Sequence, residues 1–423
     1  MRTTIVVREY ARLTSSALSE ITLDRAHIPD SAFEWLCGEN QRIRRSGAAL
    51  VHVEDRRWLR LDNYVGVIET PCGTRIEILP KTVDNGDSSN AARSLLRRML
   101  SACLDLPARE SAPTDIQAFD APLTEWVMRQ FLQALDAVVK RGLRFDYHRV
   151  QEERRFLRGR LDASRQLRQP PGRGHFFQVE HDVFDANRPE NRLLCSALDR
   201  VCAWTHDPGN WRLSHELASY LAGVPRSSNF KNDFRGWGAN RLLAHYKSVR
   251  PWCTLILGEQ TPLTMLGSWE GPSLLFPMEK IFESYVEVCL RKVLPRDTVL
   301  KTQASSRYLC SHNDEEWFQL KPDFLVKRGK TTWVLDAKWK LLDQSTGGPR
   351  EKYGLNQADF YQMLAYGQRY LPSAGTMLLI YPMTSRFNAS LPSFSYSDHL
   401  QLRVVPFDLE TGSFVDMEEV FGC

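Results

Sequence analysis

Two aspartates and a lysine near the middle of the C-terminal third have the side-chain types that hydrolytic metal sites use. Asp323 stands before an apolar run, and Asp336 and Lys338 close the stretch from Thr331 to Lys338. The turn-prone segment Lys327 to Lys330 between them predicts two antiparallel strands joined as a hairpin. Because side chains alternate along a strand, Asp336 and Lys338 are expected on one face, with Asp323 within reach of it.

This cluster predicts a magnesium site. Buried charges among apolar residues need partners or a metal ion. Mg²⁺ takes oxygen ligands and keeps several waters, so two carboxylates and one carbonyl suffice. We expect Asp323 and Asp336 to bind the metal, with the Ala337 carbonyl as a third ligand. Lys338 would orient or deprotonate the attacking water, or hold the scissile phosphate of a phosphodiester. The spacing alone is a loose pattern and by itself favours a surface salt-bridge cluster on a hairpin.

Two further polar residues stand on predicted helices around the hairpin. Glu283 lies in a predicted helix from Met278 to Val293 and can bring a third carboxylate. Gln362 lies in a predicted helix from about Asn356 to Tyr370, four residues before Tyr366 and on the same face. Its amide can hydrogen-bond the water or a phosphate oxygen. Each residue alone is more often an ordinary surface group, but together and in this order they favour a nuclease.

The order of predicted elements gives a multidomain α+β fold, as expected for 423 residues. Residues 1–88 form a β-rich N-terminal domain, with a hairpin between Tyr64 and Leu79. Residues 82–90 are polar and turn-rich, which predicts a linker. Residues 89–257 have helical periodicity and form a mainly helical region. Residues 258–423 alternate helices and strands and form a C-terminal α/β domain.

Within the C-terminal domain we predict a helix, three strands, a helix and a strand. The second strand is expected to start at Trp317 and to continue as far as Val326. The predicted strands are Thr298 to Ser305, Trp317 to Val326, Thr331 to Trp339 and Thr376 to Tyr381.

Composition favours a soluble protein of a reducing compartment. Hydrophobic residues make up 43% and charged residues 25% of the chain, as in globular proteins. No window approaches the ~20 apolar residues that a membrane span needs, and the first residues resemble a strand rather than a signal peptide. Nine cysteines lack any C-x-x-C pair, which argues against a structural zinc and for the cytoplasm.

The net charge is only +4, but basic residues are concentrated in one stretch. Between Lys140 and Arg173 there are eleven Lys and Arg against four acids, a net charge of +7. Such a run is either a solvated helix face or a surface that contacts phosphates or an acidic partner.

The acid, acid and lysine pattern with its flanking helices resembles the PD-(D/E)xK nuclease superfamily. More narrowly, the chain is similar to the McrC family, the nuclease subunits of McrBC modification-dependent restriction systems. At position 279 the family pattern predicts a polar amide, but this chain has Glu279. We expect this difference to affect a helix-capping contact and not the chemistry. The resemblance rests on five stretches: Tyr64 to Ile68 with Ile76 to Lys81, Leu157 to Asp162, Asn191 to Leu194, Leu275 to Met278 with Ile281 to Val286, and the Asp323/Asp336/Lys338 block followed by Tyr361 and Gln362.

The resemblance implies a DNA endonuclease that works with a partner. McrC-like proteins dock with their non-nuclease part into a ring of McrB-like AAA+ GTPases, and they stimulate GTP hydrolysis. The ring recognises methylated DNA (5-methylcytosine). The mainly helical residues 89–257 would be the partner-docking region here. This fits the absence of a G-x-x-x-x-G-K-[ST] nucleotide loop here. The implied site has Asp323 and Asp336 on Mg²⁺, Lys338 at the water or phosphate, and Glu283 and Gln362 beside them. The basic stretch from Lys140 to Arg173 would contact the ring or double-stranded DNA.

Two other functions remain open at this point. One is a non-cutting assembly and GTPase-activating subunit whose nuclease domain is vestigial. The intact set of charges argues against it. The other is a stand-alone repair nuclease of the same superfamily. The long N-terminal part, which has no nucleotide-binding loop, argues against it and favours a docked subunit.

Overall fold

The computed structural model describes residues 4–44, 50–81, 89–103, 122–238, 241–258, 273–371, 374–415 and 421. It is a mixed α/β protein, as predicted, and it divides into two compact units: residues 1–123 with 265–423, and residues 124–264. The boundaries of the three predicted domains stay a prediction. Most of the predicted linker, residues 82–88, lies outside the described residues. Among the described helices, none is long and apolar enough to cross a membrane.

The N-terminal part of the first unit contains short strands and two helices. The predicted hairpin is confirmed: β6 pairs antiparallel with β7, and every residue of both strands is buried. The strands are β1 (Thr4–Arg8), β2 (Arg12–Thr14), β3 (Arg25–His27), β4 (Val51–Val53), β5 (Trp58–Leu61), β6 (Tyr64–Glu69) and β7 (Arg75–Leu79); the helices are α1 (Asp30–Arg44) and α2 (Ser89–Cys103).

One sheet of this unit combines strands from both of the chain segments that form the unit. Its order is β1-β7-β6-β11, where β11 (Leu274–Pro277) pairs antiparallel with β6. A second four-stranded sheet has the order β3-β2-β5-β4. Because β11 leads directly into the next helix, the N-terminal sheet fixes the start of that helix.

The second unit is helical apart from one antiparallel sheet. Residues 146–185, inside the predicted helical region, form three strands that pair in the order β8-β10-β9, with one short helix between β9 and β10. The basic stretch from Lys140 to Arg173 spans several elements. Arg149, Arg154 and Arg160 lie on these strands, Lys140, Arg141 and Arg165 lie on helices, and the other five basic residues lie in connecting segments. A single solvated helix face therefore does not explain the stretch. The strands are β8 (Asp146–Arg154), β9 (Arg160–Leu161) and β10 (Phe177–Asp185); the helices are α3 (Leu123–Arg141), α4 (Ala163–Leu167), α5 (Pro189–Trp204), α6 (Pro208–Tyr220), α7 (Phe230–Gly236) and α8 (Arg250–Leu257).

The C-terminal part of the first unit is built on a mixed seven-stranded sheet. The order is β12-β15-β16-β17-β19-β18, with β20 beside β19; β16, β17 and β19 run parallel. The predicted helices and the last predicted strand are present. The elements are α9 (Met278–Val293), β12 (Thr298–Thr302), β13 (Arg307–His312), β14 (Glu315–Leu320), β15 (Phe324–Arg328), β16 (Thr331–Ala337), α10 (Gln357–Tyr370), β17 (Gly375–Pro382), β18 (Phe394–Ser397), β19 (Leu400–Asp408) and β20 (Ser413–Phe414).

The predicted continuous strand from Trp317 to Val326 is wrong. The chain forms two strands there: β14 pairs with β13 in a two-stranded sheet, whereas β15 belongs to the seven-stranded sheet. The break falls at Pro322, which has no N–H to donate to a strand ladder. Asp323 therefore stands at the entrance of β15 rather than inside a longer strand.

Helix α10 packs closely against the sheet. A Cβ on Gly367 would lie 2.6 Å from the Met377 sulfur and 2.7 Å from a Leu400 methyl group, so any larger residue would have to displace these packed side chains. Met363 and Tyr366 are buried in the same apolar cluster. The close packing fixes the helix whose polar side carries Gln362.

Candidate active site

The hairpin of β15 and β16 brings the two aspartates together. Phe324 pairs with Leu335, which sets Asp323 opposite Asp336 at the end of the two strands. The Ala337 N–H donates to Asp323 Oδ2 over 2.9 Å. Asp336 is only 1% exposed. The two carboxylates thus share one end of the hairpin, as the alternation of side chains predicted.

Lys338 follows the last residue of β16 and turns back to Asp336. Its Nζ lies 2.7 Å from Asp336 Oδ2 and 3.9 Å from Asp359 Oδ1. It also donates to Gln362 Oε1 over 3.0 Å. The ammonium is therefore held between two carboxylates and an amide, and not released to solvent.

Gln362 is fixed by the residue four positions further along α10. Its Nε2 donates to the Tyr366 hydroxyl over 2.7 Å, and that hydroxyl donates to the Lys321 carbonyl over 3.0 Å. The predicted shared face of Gln362 and Tyr366 is present. These bonds orient the Gln362 oxygen towards Lys338.

Glu283 reaches the same end of the hairpin from α9. Gln303, just after β12, donates from Nε2 to Glu283 Oε1 and, over 3.3 Å, to Asp323 Oδ1. Lys280 lies 2.9 Å from Glu283 Oε2. Gln303 has a positive φ of 47°, a conformation that costs energy in a residue other than glycine. It bridges two of the three acids.

These groups border a cleft of about 690 Å³. Its lining includes the predicted residues Glu283, Asp323, Ala337 and Lys338. Asp336 and Gln362 are not among the lining residues, but both contact Lys338, which is. The five predicted site residues therefore belong to one connected group.

Crowding of negative charge shapes the electrostatics of the site. Burial, then the charges of Asp336 and Glu283, raise the pKa of Asp323 to about 7. Burial also raises the pKa of Asp336, although Lys338 opposes the effect. Burial alone would lower the pKa of Lys338, but Asp336, through its charge and hydrogen bond, outweighs it and raises that pKa. Two carboxyls that resist ionisation together are a place where a cation is stabilising.

The residues present fit a hard divalent cation. No three His, Cys, Asp or Glu side chains form a ready metal cluster in the parts of the chain that the structure describes, so a metal would have two carboxylates and a backbone oxygen. The buried Asp336 Oδ2 is ion-paired with Lys338 Nζ over 2.7 Å, and it has no further hydrogen-bond partner among the described residues. An all-oxygen donor set with room for water suits Mg²⁺.

Sequence reasoning missed three residues of this group. Asp359 stands three positions before Gln362 on α10, and that helical spacing would have found it. Gln303 and Glu9 also border the site or contact its residues. Neither has a local signal in the sequence, because each reaches the site through long-range contacts.

Two solved structures are similar to the chain. A chain in the refined half-complex from the tetradecameric assembly of Thermococcus gammatolerans McrB AAA+ hexamers with bound McrC matches with a TM-score of 0.70 and 19% identity, over 99% of this chain and 98% of that one. A chain of the cryo-EM structure of the Thermococcus gammatolerans McrBC complex matches with a TM-score of 0.52 and 21% identity, over 73% of this chain and 90% of that one. At these identities the likeness concerns the fold.

No curated protein matches the chain. A family model, described as McrBC 5-methylcytosine restriction system component, matches residues 59–382. That range contains the hairpin aspartates, Lys338, Glu283 and Gln362. The chain therefore belongs to the family of McrBC 5-methylcytosine restriction system components.

Proposed function

We propose that this chain is the nuclease subunit of its restriction system, a PD-(D/E)xK endonuclease that hydrolyses DNA phosphodiester bonds with Mg²⁺ in the cytoplasm. The observation that carries the proposal is the convergence of Asp323, Asp336 and Lys338 at one end of a hairpin, beside an open cleft. A surface salt-bridge cluster would not need a carboxyl that is 1% exposed, because buried charges are costly without a function or a full set of partners.

Each residue has a part that its contacts support. Asp323 and Asp336 would hold the metal, with the Ala337 carbonyl as a further ligand. Bound Mg²⁺ would neutralise the charge that develops on the phosphate oxygens and make a water nucleophilic. Lys338, held by Asp336 and Gln362, would bind the scissile phosphate or orient the attacking water. Glu283 would add negative charge to the metal's surroundings.

We further propose that the chain acts with an AAA+ GTPase ring. The similar Thermococcus gammatolerans chain belongs to an assembly of McrB AAA+ hexamers with bound McrC, and family membership makes a corresponding partner the simplest expectation. The partner would recognise 5-methylcytosine in double-stranded DNA, activate cleavage, and have its GTP hydrolysis stimulated in return.

The basic stretch from Lys140 to Arg173 is proposed as a contact surface for the ring or for DNA. Arg155, Arg158 and Arg160 are exposed there. Changing these three to Gln should weaken binding to one partner. Loss of the GTPase complex with DNA affinity unchanged identifies the ring, and the converse identifies DNA. Unchanged affinity for both rejects this surface.

The test of the nuclease proposal is cleavage of methylated DNA by the chain together with its neighbouring GTPase, GTP and Mg²⁺. Asp336→Asn should abolish cleavage and preserve the GTPase complex, whereas Asp314→Asn, in an exposed turn where Asn tolerates the positive φ of 64°, should cleave normally. A wild-type complex that assembles and hydrolyses GTP but never cuts would favour the non-cutting assembly subunit instead.

A further inference from the structure

The N-terminal sheet makes direct contacts with the residues around the cleft. Strand β11 pairs with β6 and continues into α9, the helix that carries Glu283. The Met278 N–H at the start of α9 donates to the Asn63 carbonyl over 2.8 Å. The N-terminal end of the helix that carries Glu283 is therefore attached to β6 and to the residue just before it.

A second contact reaches the residue that follows Lys338. Glu9 lies just after β1, and its backbone N–H donates to the Leu79 carbonyl over 2.9 Å. Its Oε1 accepts two hydrogen bonds, one from the Lys81 N–H over 2.8 Å and one from the Trp339 indole over 2.7 Å. Trp339 immediately follows Lys338, so Glu9 fastens the end of the segment that holds Asp336 and Lys338.

The two contacts meet through an aromatic pair. The rings of Trp339 and Phe282 lie 5.4 Å apart between centroids, and Phe282 is the neighbour of Glu283. Trp339 is 9% exposed and Phe282 is fully buried. The indole is thus confined between α9 and Glu9, and a change in its orientation would move both the strand end and the helix.

Glu9 itself is not an ordinary structural acid. It is 1% exposed, it lines the cleft, and its Oε2 has no hydrogen-bond partner among the described residues. Burial, assisted by the charge of Glu279 and opposed by the bonds from Lys81 and Trp339, raises its pKa to about 7. Near neutral pH the side chain is therefore partly protonated, and a glutamine there would preserve its oxygen acceptor.

We propose that Glu9 is a positioning residue of the nuclease site: by holding the Trp339 indole it fixes the strand end that carries Asp336 and Lys338. The N-terminal sheet is then a structural part of the active site. This inference rests on the proposed nuclease function, because it assigns Glu9 a role in that reaction.

The test compares Glu9→Gln with Glu9→Leu in the full chain with its GTPase partner. Glu9→Gln keeps the acceptor for the indole and should retain most of the wild-type kcat. Glu9→Leu removes it and should lower kcat by about 10- to 100-fold, the usual effect of losing an outer-shell partner, with the KM for DNA little changed. Wild-type kcat in folded Glu9→Leu overturns the proposal.

A second variant covers the case in which Glu9→Leu does not fold. Trp339→Phe keeps a ring against Phe282 but removes the indole N–H, and should give a similar loss of kcat. The effects of Trp339→Phe and Glu9→Leu should not add in the double variant. Additive losses, or a normal kcat in Trp339→Phe, reject the link.

A readout without DNA separates this inference from the proposed function. The indole N–H resonance of Trp339 in ¹⁵N-labelled protein, identified by its absence in Trp339→Phe, should shift in Glu9→Leu and stay near its wild-type position in Glu9→Gln. If the wild type never cuts DNA but the indole behaves this way, the nuclease proposal fails and the contact stands. If the wild type cuts DNA and the indole resonance keeps its wild-type position in both Glu9→Leu and Glu9→Gln, the positioning role is rejected.

Discussion

Replacing Asp323 by Asn should stabilise the metal-free protein at neutral pH while abolishing cleavage. The amide oxygen can still accept from the Ala337 N–H, which donates to Asp323 over 2.9 Å. What the substitution removes is a charge that burial, Asp336 and Glu283 all disfavour. The variant therefore separates the charge of this side chain from its hydrogen bond.

The magnitude follows from the pKa. A move from 3.8 to about 7 corresponds, at ~1.4 kcal/mol per pH unit, to about 4 kcal/mol of unfolding free energy. The unfolded chain releases this proton near pH 4, whereas the folded metal-free chain keeps it up to about pH 7. Between these values the unfolded state binds fewer protons, so wild-type stability falls as pH rises. Asp323→Asn escapes this loss, and its advantage at neutral pH is at most that amount.

Thermal unfolding in EDTA at acidic and at neutral pH measures this difference. The variant should gain several degrees in Tm over the wild type at neutral pH and almost nothing at pH 4. Added Mg²⁺ should raise the Tm of the wild type, because a ligand that binds only the folded state stabilises it, and should leave the variant unchanged. Asp314→Asn, in an exposed turn, controls for the loss of one negative charge. A variant that is less stable than the wild type in EDTA, or that responds equally to Mg²⁺, refutes the reasoning.

Three further outcomes follow from the same geometry. Asp336→Ala should reduce cleavage by about 100- to 1,000-fold or more, because a metal-holding carboxylate stabilises the transition state by several kcal/mol. Pull-down of the GTPase partner should be unchanged. Loss of partner binding as well would indicate misfolding. Gln362→Ala removes the amide partner of Lys338 and should lower the cleavage rate by about 10- to 100-fold. Gln368 is exposed on the same helix, so Gln368→Ala should leave the rate unchanged. Equal effects of the two substitutions would argue against a role for Gln362. At limiting Mg²⁺ the cleavage rate should rise with pH up to about 7, because protons compete with the cation for the raised-pKa carboxyl of Asp323; a rate that is flat over this range would show that Asp323 is not a ligand.

The local part of the site could be predicted from the sequence because its geometry is local. The alternation of side chains and a tight turn are enough to put Asp336 beside Lys338 and opposite Asp323, and helical spacing is enough to align Gln362 with Tyr366. The error at Trp317 to Val326 has an equally local cause. The predicted strand passes through Pro322, which has no N–H and cannot continue a strand ladder.

The remainder of the site depends on contacts between distant segments. Glu9 and the Trp339 indole are 330 positions apart in the chain, and no periodicity in either segment announces their meeting. The pairing of β6 with β11 likewise joins parts of the chain that the sequence assigns to different domains. Such pairings depend on how whole sheets pack, and the residue pattern of a single segment does not predict them.

The most direct test of the account is to locate a bound metal. Crystals of the chain soaked with Mn²⁺, which has the same preference for oxygen ligands as Mg²⁺, should give an anomalous peak in contact with the carboxylates of both Asp323 and Asp336. The peak should vanish in Asp336→Asn. An ion bound elsewhere, with these two carboxylates free of metal at saturating Mn²⁺, would contradict the central claim.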